Sequence, residues 1–292
     1  LRVRPQTGVR AVYTAMHGVG WAPLSRVLQA AGHTDVHPVA AQRDPDGDFP
    51  TVAFPNPEED GALDLAIADA KKMGADVIVA NDPDADRLAV AVPSPTGEWT
   101  MLTGNQVGAL LAEELLSHGT MHPERLVATT IVSTRLLQRI AKRHGAICGE
   151  TLTGFKWLAN MAIAHDGPFV IGFEEALGYS VGDVVRDKDG ISATLILLDL
   201  ASNLKAKGQT LLDAWKRIDE RYGAHRSTQI AIKMEGPDGA RAILGAMRDL
   251  RENPPVELAN NKVKRLRDVQ TGISMDCMTG ASSQIPLPKS NV

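Results

Sequence analysis

Only two cysteines, Cys148 and Cys277, occur in 292 residues, far apart and with no Cys or His at metal-ligand spacing beside them. This excludes a disulfide framework and a zinc knuckle, and it fits a reducing, cytoplasmic setting. There is no basic excess either: 31 Lys and Arg stand against 35 Asp and Glu, a net charge of -4. The positive field by which proteins hold a nucleic-acid backbone is therefore missing, and nucleic acid is not an expected partner. Long apolar runs are also absent, the stretch Leu195 to Leu198 being among the longest, so no membrane partner is expected. The opening Leu1-Arg2-Val3-Arg4-Pro5 lacks a signal peptide's apolar segment. Position 1 is Leu rather than Met, as expected if the numbering starts inside a longer reading frame or at a processed terminus. What is present, 43% hydrophobic and 23% charged residues, suffices for two ordinary domains, each with a core.

A short apolar run, a glycine or acidic loop and a segment of helical periodicity recur along the chain, which predicts an α/β fold with mostly parallel sheets. Strands are expected at Val9 to Thr14, Val36 to Val39 and Asp76 to Ala80, with helices at Pro23 to Ala31 and Gly61 to Met73. The turn cluster Pro93 to Gly97 closes this first domain, 1–95. The alternation restarts in a second domain, 96–221, with strands at Leu126 to Thr130, Ala146 to Cys148 and Phe169 to Ile171. Its helices are Asn105 to Ser117, Thr134 to His144, Gly154 to Ala164, Ile191 to Ala206 and Thr210 to Arg221. From 222 to 292 the texture changes to an α+β piece: a strand Ser227 to Met234, a helix Asp238 to Leu250, a basic segment Lys262 to Arg267, and a tail with no packed partner in view.

The sharpest local feature is Asn81-Asp82-Pro83-Asp84-Ala85-Asp86-Arg87, directly after an apolar strand, where ligands collect in open α/β sheets. In a loop that curls back, the alternating Asp82, Asp84 and Asp86 converge, and hard oxygen ligands of this kind suit Mg²⁺. An EF-hand fails, because its sixth position needs Gly and holds Arg87, and its twelfth needs Glu and holds Pro93. His17-Gly18-Val19-Gly20 suits either an anion cradle or tight strand-helix packing. His33 and His37 have the spacing of a helical zinc site but fall at a strand, and are read as surface residues. Glu174 and Glu175 stand at another strand end, placed either to accept hydrogen bonds from vicinal sugar hydroxyls or to cap a helix. Thr151 to Trp157 and Arg186 to Gly190 supply two further polar loops ahead of helices.

In this order, DPDADR, TLTGFKW, GFEEALGY and RDKDG resemble the successive motifs of the α-D-phosphohexomutase family, and YTAMHGVG is similar to the opening of its second domain. The wording resembles the phosphoglucomutase and phosphopentomutase branch more than the phosphomannomutase branch. The resemblance implies two consecutive mixed-sheet α/β/α domains followed by part of an α+β domain. It implies that Asp82, Asp84 and Asp86 hold Mg²⁺, with Arg87 and Lys188 as catalytic cations beside the phosphoryl group. It places Glu174 and Glu175 on the sugar hydroxyls and lines the sugar pocket with Thr153 and Gly154. Ala176 departs from the pattern, since many relatives carry Ser there.

The activity so implied moves phosphate within a small phosphosugar, glucose 1-phosphate to glucose 6-phosphate or the pentose or mannose equivalents, through a phosphoserine and a sugar bisphosphate activator. No serine of this sequence stands in the family's Thr-Ala-Ser-His-Asn-Pro loop, and the Arg-Pro-Ser-Gly-Thr loop of the fourth domain is not found either. The expectation is thus a fragment of a mutase, inactive as it stands. The alternatives are a metal- or phosphosugar-binding pseudoenzyme and a haloacid-type phosphatase, the latter disfavoured by the triple Asp followed by Arg.

Overall fold

The computed structural model describes residues 8–227 and 234–288, in two compact units, Leu1–His225 and Arg226–Val292. In the first unit, β1 (Ala11–Thr14), β2 (Val36–Pro38), β3 (Val77–Ala80), β4 (Ala89–Pro93) and β5 (Trp99–Leu102) make one sheet, with α1 (Trp21–Ala31) and α2 (Asp64–Met73) between its strands. The spatial order is β2-β1-β3-β4-β5. Every residue of β1 (AVYT) and β3 (VIVA) is buried, which is why both read as unbroken apolar runs rather than alternating ones. β1 is parallel to β2 and β3, whereas β4 and β5 are antiparallel additions. Thr14 pairs with Ala80, so the loops that follow β1 and β3 leave the sheet at the same edge.

A second sheet in the same unit has β6 (Leu126–Thr130), β7 (Ile147–Thr151), β8 (Phe169–Phe173) and β9 (Tyr179–Val181) in the order β7-β6-β8-β9. Its helices are α3 (Gly104–His118), α4 (Leu136–Arg143), α5 (Phe155–Ala164), α6 (Gly190–Lys205) and α7 (Leu211–Tyr222). The parallel pairs Thr130 with Thr151 and Thr129 with Phe173 again bring the loops after β6, β7 and β8 to one edge. Capping boxes at Thr103 with Gln106 and Thr210 with Asp213 start α3 and α7, each satisfying amides that a bare helix start leaves orphaned. One continuous apolar cluster runs through both sheets and all their helices but α5, with α1 packed on α6 and α3 on β8, while Phe155 and Leu158 of α5 cluster separately with Ala128.

The sheets are mixed rather than mostly parallel. Pro93 to Gly97 is the tip of the β4–β5 hairpin, so the first sheet continues to Leu102, past the turn expected to end it. Short apolar stretches carry no sign of strand direction, and two of the strands, β5 and β9, follow tight turns that periodicity alone reads as boundaries.

The second unit contains α8 (Gly236–Glu252), a two-residue hairpin of β10 (Glu257–Leu258) and β11 (Asn261–Lys262), and a meander of β12 (Arg265–Asp268), β13 (Ile273–Asp276) and β14 (Ser282–Gln284). The tail does have a packed partner: Ser282–Gln284 pairs with β13, and Ile285 is buried. The strand expected over Ser227 to Met234 lies, apart from its end residues, outside the described residues. No helix among the described residues is long and apolar enough to cross a membrane.

Candidate functional site

At the end of β3, Asn81 N donates to Thr14 O, and the chain then turns under an Ala85 N to Asp82 O bond. Ala85 takes a left-handed conformation, φ 60°. The turn gathers Asp82, Asp84 and Asp86, one carboxylate oxygen of each lying within 4.8 Å of the others. Asp82 is 3% exposed, Asp86 half-buried and Asp84 open to solvent. Like unit charges about 5 Å apart repel by roughly 3 kcal/mol at an effective dielectric near 20, so the cluster calls for cations. Arg87 supplies one, its backbone N donating to Asp82 Oδ1 at 3.0 Å and its Nε to Asp82 Oδ2 at 2.5 Å. Lys188 supplies the other, Nζ lying 2.9 Å from Asp86 Oδ2. Even so, partial burial, with the fields of Asp82 and Asp84, holds the Asp86 carboxyl above its ordinary range against the pull of Lys188. Three hard oxygen donors, still short of positive charge, fit a divalent cation such as Mg²⁺.

The glycine turn lies against this loop. A Cβ on Gly18 would stand 2.3 Å from Pro83 Cα and O, while Val19 N donates to Pro83 O at 2.8 Å. The amides of His17 and Gly18 are likewise committed, to Gln42 O and Ala15 O. The turn therefore buttresses the acidic loop through Val19 and the close approach of Gly18 to Pro83.

Glu174 to Gly178 is the tip of the β8–β9 hairpin, not a helix start. Glu174 N donates to Gly178 O at 3.0 Å, and Glu174 Oε1 accepts from Gly154 N at 2.6 Å. This contact brings the Thr153-Gly154 loop beside the hairpin, where Thr153 Oγ1 is buried with no hydrogen-bond partner in the structure. Glu175 turns elsewhere: its Oε2 accepts from Ser133 Oγ at 2.7 Å, and its N donates to the same hydroxyl. The two acids thus diverge, Glu174 toward the Thr153-Gly154 loop and Glu175 into the turn after β6.

Backbone bonds join the hairpin to the acidic loop. Leu88 N donates to Leu177 O at 3.0 Å, and Arg87 bridges Gly178 in antiparallel fashion. On the other side Asp189 caps α6 and Gly190 N donates to Ala85 O. Asp82, Asp84, Asp86, Arg87, Lys188, Glu174 and Gly154 therefore form one connected group drawn from both sheets.

Sequence reasoning missed Asn56, whose Oδ1 accepts from Arg87 Nη1 at 3.3 Å. The available signal was the length of the Pro- and Asp-rich loop between β2 and α2, since long loops in compact domains are usually functional. His33 is not a surface residue. It is 5% exposed, and its Nε2 lies 2.9 Å from Asp199 Oδ1 on α6. Gly32 ends α1 in the left-handed region and turns the next residue inward.

A cavity of about 1000 Å³ lies at the other end of the β8–β9 hairpin, between α3, α6 and α7. Its buried Arg125 donates to Leu116 O and His144 O, where the ends of α3 and α4 offset its charge. Asp82, Asp84 and Asp86 are not among the cavity's lining residues.

The sequence models of the phosphoglucomutase/phosphomannomutase α/β/α domains II and III match residues 2–97 and 103–218. The chain belongs to this family. It is 47% identical over 269 residues to a Haemophilus influenzae protein named "Probable phosphomannomutase", covering 92% of this chain and 54% of that protein. It is 36% identical to a Schizosaccharomyces pombe "Probable phosphoribomutase", covering 97% of this chain and 50% of the relative. A solved Thermus thermophilus structure described as a phosphomannomutase is 27% identical, with a TM-score of 0.62 over 76% of this chain and 47% of that one. The chain spans about half the length of the curated relatives it matches.

Proposed function

We propose that this chain provides the metal loop and the sugar loop of a Mg²⁺-dependent phosphosugar mutase acting on aldose phosphates. The observation that carries the reading is the convergence of Asp82, Asp84 and Asp86 on a loop hydrogen-bonded, through Leu88 and Leu177, to the hairpin that bears Glu174. Asp82, Asp84 and Asp86 hold the Mg²⁺, which when bound supplies positive charge to phosphoryl oxygens. Arg87 is fixed at Nε by Asp82 and at Nη1 by Asn56, which orients the guanidinium fork for a phosphoryl oxygen. Lys188 adds a second cation. Phosphoryl transfer asks mainly for positioning and charge neutralisation, which these groups supply. Glu174, ionised, accepts from sugar hydroxyls, with Thr153 and Gly154 as the facing wall.

The reading extends to a phosphoserine donor and a sugar bisphosphate intermediate. No serine of residues 1–292 stands in the loop that such a donor needs, so on this reading these residues bind metal and phosphosugar without turnover of their own. Calorimetric titration of Mg²⁺ and of glucose 1-phosphate tests it directly. Wild-type chain should bind Mg²⁺ and gain thermal stability with rising concentration, and Asp84→Asn should remove most of both effects. Equal binding by the variant would overturn the metal assignment.

A further inference from the structure

The acidic loop carries two cationic partners from this chain, and they are held in different ways. Arg87 belongs to the loop and binds Asp82 through both backbone and side chain, so it moves with the loop. Lys188 comes from the turn before α6 and reaches across. Its stem lies against the hairpin backbone at Gly178, where a Cβ would stand 2.7 Å from Lys188 Cδ, and Nζ sits 5.3 Å from the centre of the Phe155 ring. Only the tip meets the acids. Nζ is 2.9 Å from Asp86 Oδ2 and 3.7 Å from Asp187 Oδ1, and Glu174 also acts on its charge.

We propose that Lys188 is an exchangeable counter-ion of the acidic loop: its ammonium competes with the divalent cation for Asp86, and cation binding turns it toward the phosphate of the sugar. This rests on the metal-loop reading above and adds a coupling that the reading does not contain. Mg²⁺ sits about 2.1 Å from its oxygen ligands. With Nζ 2.9 Å from Asp86 Oδ2, a dication on that oxygen lies at most about 5 Å from the ammonium. At that range the repulsion is twice that of two unit charges. A lysine resolves it cheaply, because its ammonium is a point charge on a flexible stem, whereas the Arg87 fork is pinned on two sides. With its stem packed at Gly178, Lys188 can swing its tip, giving up the contact of Nζ with the Phe155 ring along with that to Asp86. Freed from Asp86, the ammonium stands between the acidic loop and Glu174, where an anionic phosphate would meet it. By linkage, phosphosugar must then favour cation binding as much as the cation favours phosphosugar.

The test is calorimetric titration of Mg²⁺ into wild type, Lys188→Met, Lys188→Arg and Asp84→Asn at fixed ionic strength, with and without glucose 1-phosphate. Lys188→Met should bind Mg²⁺ alone about three- to tenfold more tightly, the scale of removing one partly exposed ion pair. Lys188→Arg should stay near wild type. The factor by which glucose 1-phosphate tightens Mg²⁺ in wild type should shrink in Lys188→Met. Simple loss of a positive charge would leave that factor unchanged, and this outcome overturns the proposal, as does Mg²⁺ binding that is unchanged or weaker in Lys188→Met. If Lys188→Met does not fold, the side-chain NMR signal of Lys188 in the wild-type chain decides the same question: it should shift on adding Mg²⁺ and stay still in Asp84→Asn, and a signal indifferent to Mg²⁺ refutes the exchange. Absent Mg²⁺ binding, or binding that survives Asp84→Asn, would bring down the metal reading itself. Asp84-dependent binding that ignores Lys188 brings down only the exchange.

Discussion

Gly190→Ala tests whether α6 sets the shape of the acidic loop. Gly190 is the first residue of that helix, buried, and its N donates to Ala85 O at 3.1 Å. A Cβ there would stand 2.3 Å from Arg87 O, 2.5 Å from Asn81 Nδ2 and 2.7 Å from Ala85 O. Two of these atoms are backbone, and the third belongs to an amide that holds Arg87 O at 2.6 Å, so no flexible side-chain tip can move aside. The contact with Ala85 O and the Asn81 bond must both lengthen, at about 0.5–1.5 kcal/mol each. Overpacking adds about 1–3 kcal/mol, offset by at most about 1 kcal/mol of helix propensity. The net expectation is a loss of about 2–4 kcal/mol in urea unfolding of the first unit, with Mg²⁺ affinity falling about tenfold or more because Asp82 and Asp86 flank the displaced atoms. Gly245→Ala in α8 is the control: a Cβ there meets nothing within 4 Å, and the second unit should gain about 0.5–1 kcal/mol. A Gly190→Ala loss below about 0.5 kcal/mol with unchanged Mg²⁺ affinity would refute the reasoning.

Glu174→Gln should weaken glucose 1-phosphate binding about tenfold or more, and more than Glu175→Gln does, because Glu175 is already engaged by Ser133. The same Glu174 variant has a pH signature. Burial holds the carboxyl above its ordinary 4.5 against the Gly154 N–H, which lowers it. An acid with a raised folded-state pKa disfavours folding as the pH rises through its unfolded-state value, and the penalty is complete above the folded-state one, so Glu174→Gln should be more stable than wild type at neutral pH. The gain should vanish as the pH falls below 4.5; a gain that persists in acid would contradict the burial argument. His33→Leu leaves Asp199 without its 2.9 Å partner and should cost about 1–3 kcal/mol in thermal unfolding while leaving Mg²⁺ affinity within twofold, about 0.4 kcal/mol.

The buried parallel strands and most helices were legible in the sequence because they have to be apolar in a fixed period: Leu126–Thr130 and Ala11–Thr14 announce themselves by composition. The acidic loop was legible because its charges are adjacent in sequence as well as in space. Strand direction was not, since nothing in Trp99–Leu102 or Tyr179–Val181 says that either turns back on its predecessor. Nor was the burial of His33, which depends on Asp199, far along the chain. Asn56 was hidden for the same reason, because its partner Arg87 is reached only when the long loop folds over β3. The directions in which the Glu174 and Glu175 side chains turn were not legible either, because their partners Gly154 and Ser133 come from other loops of the chain.

What holds the acidic loop to the β8–β9 hairpin, to α6 and to the glycine turn is mostly backbone. Leu88 N to Leu177 O, Gly190 N to Ala85 O and Val19 N to Pro83 O survive any side-chain change that keeps the local conformation. The side chain that would meet the sugar on the proposed reading, Glu174, is half-buried at the tip of the hairpin. Such an arrangement separates two requirements. The acidic loop is fixed to its surroundings largely by backbone groups, so its geometry tolerates little change at Gly18 or Gly190, where a Cβ has no room. Ala176, the exposed residue of the hairpin tip, can change without disturbing that frame. On the proposed reading, relatives with phosphomannomutase and phosphoribomutase names can therefore share one acidic loop while the tip sets the preference among sugars.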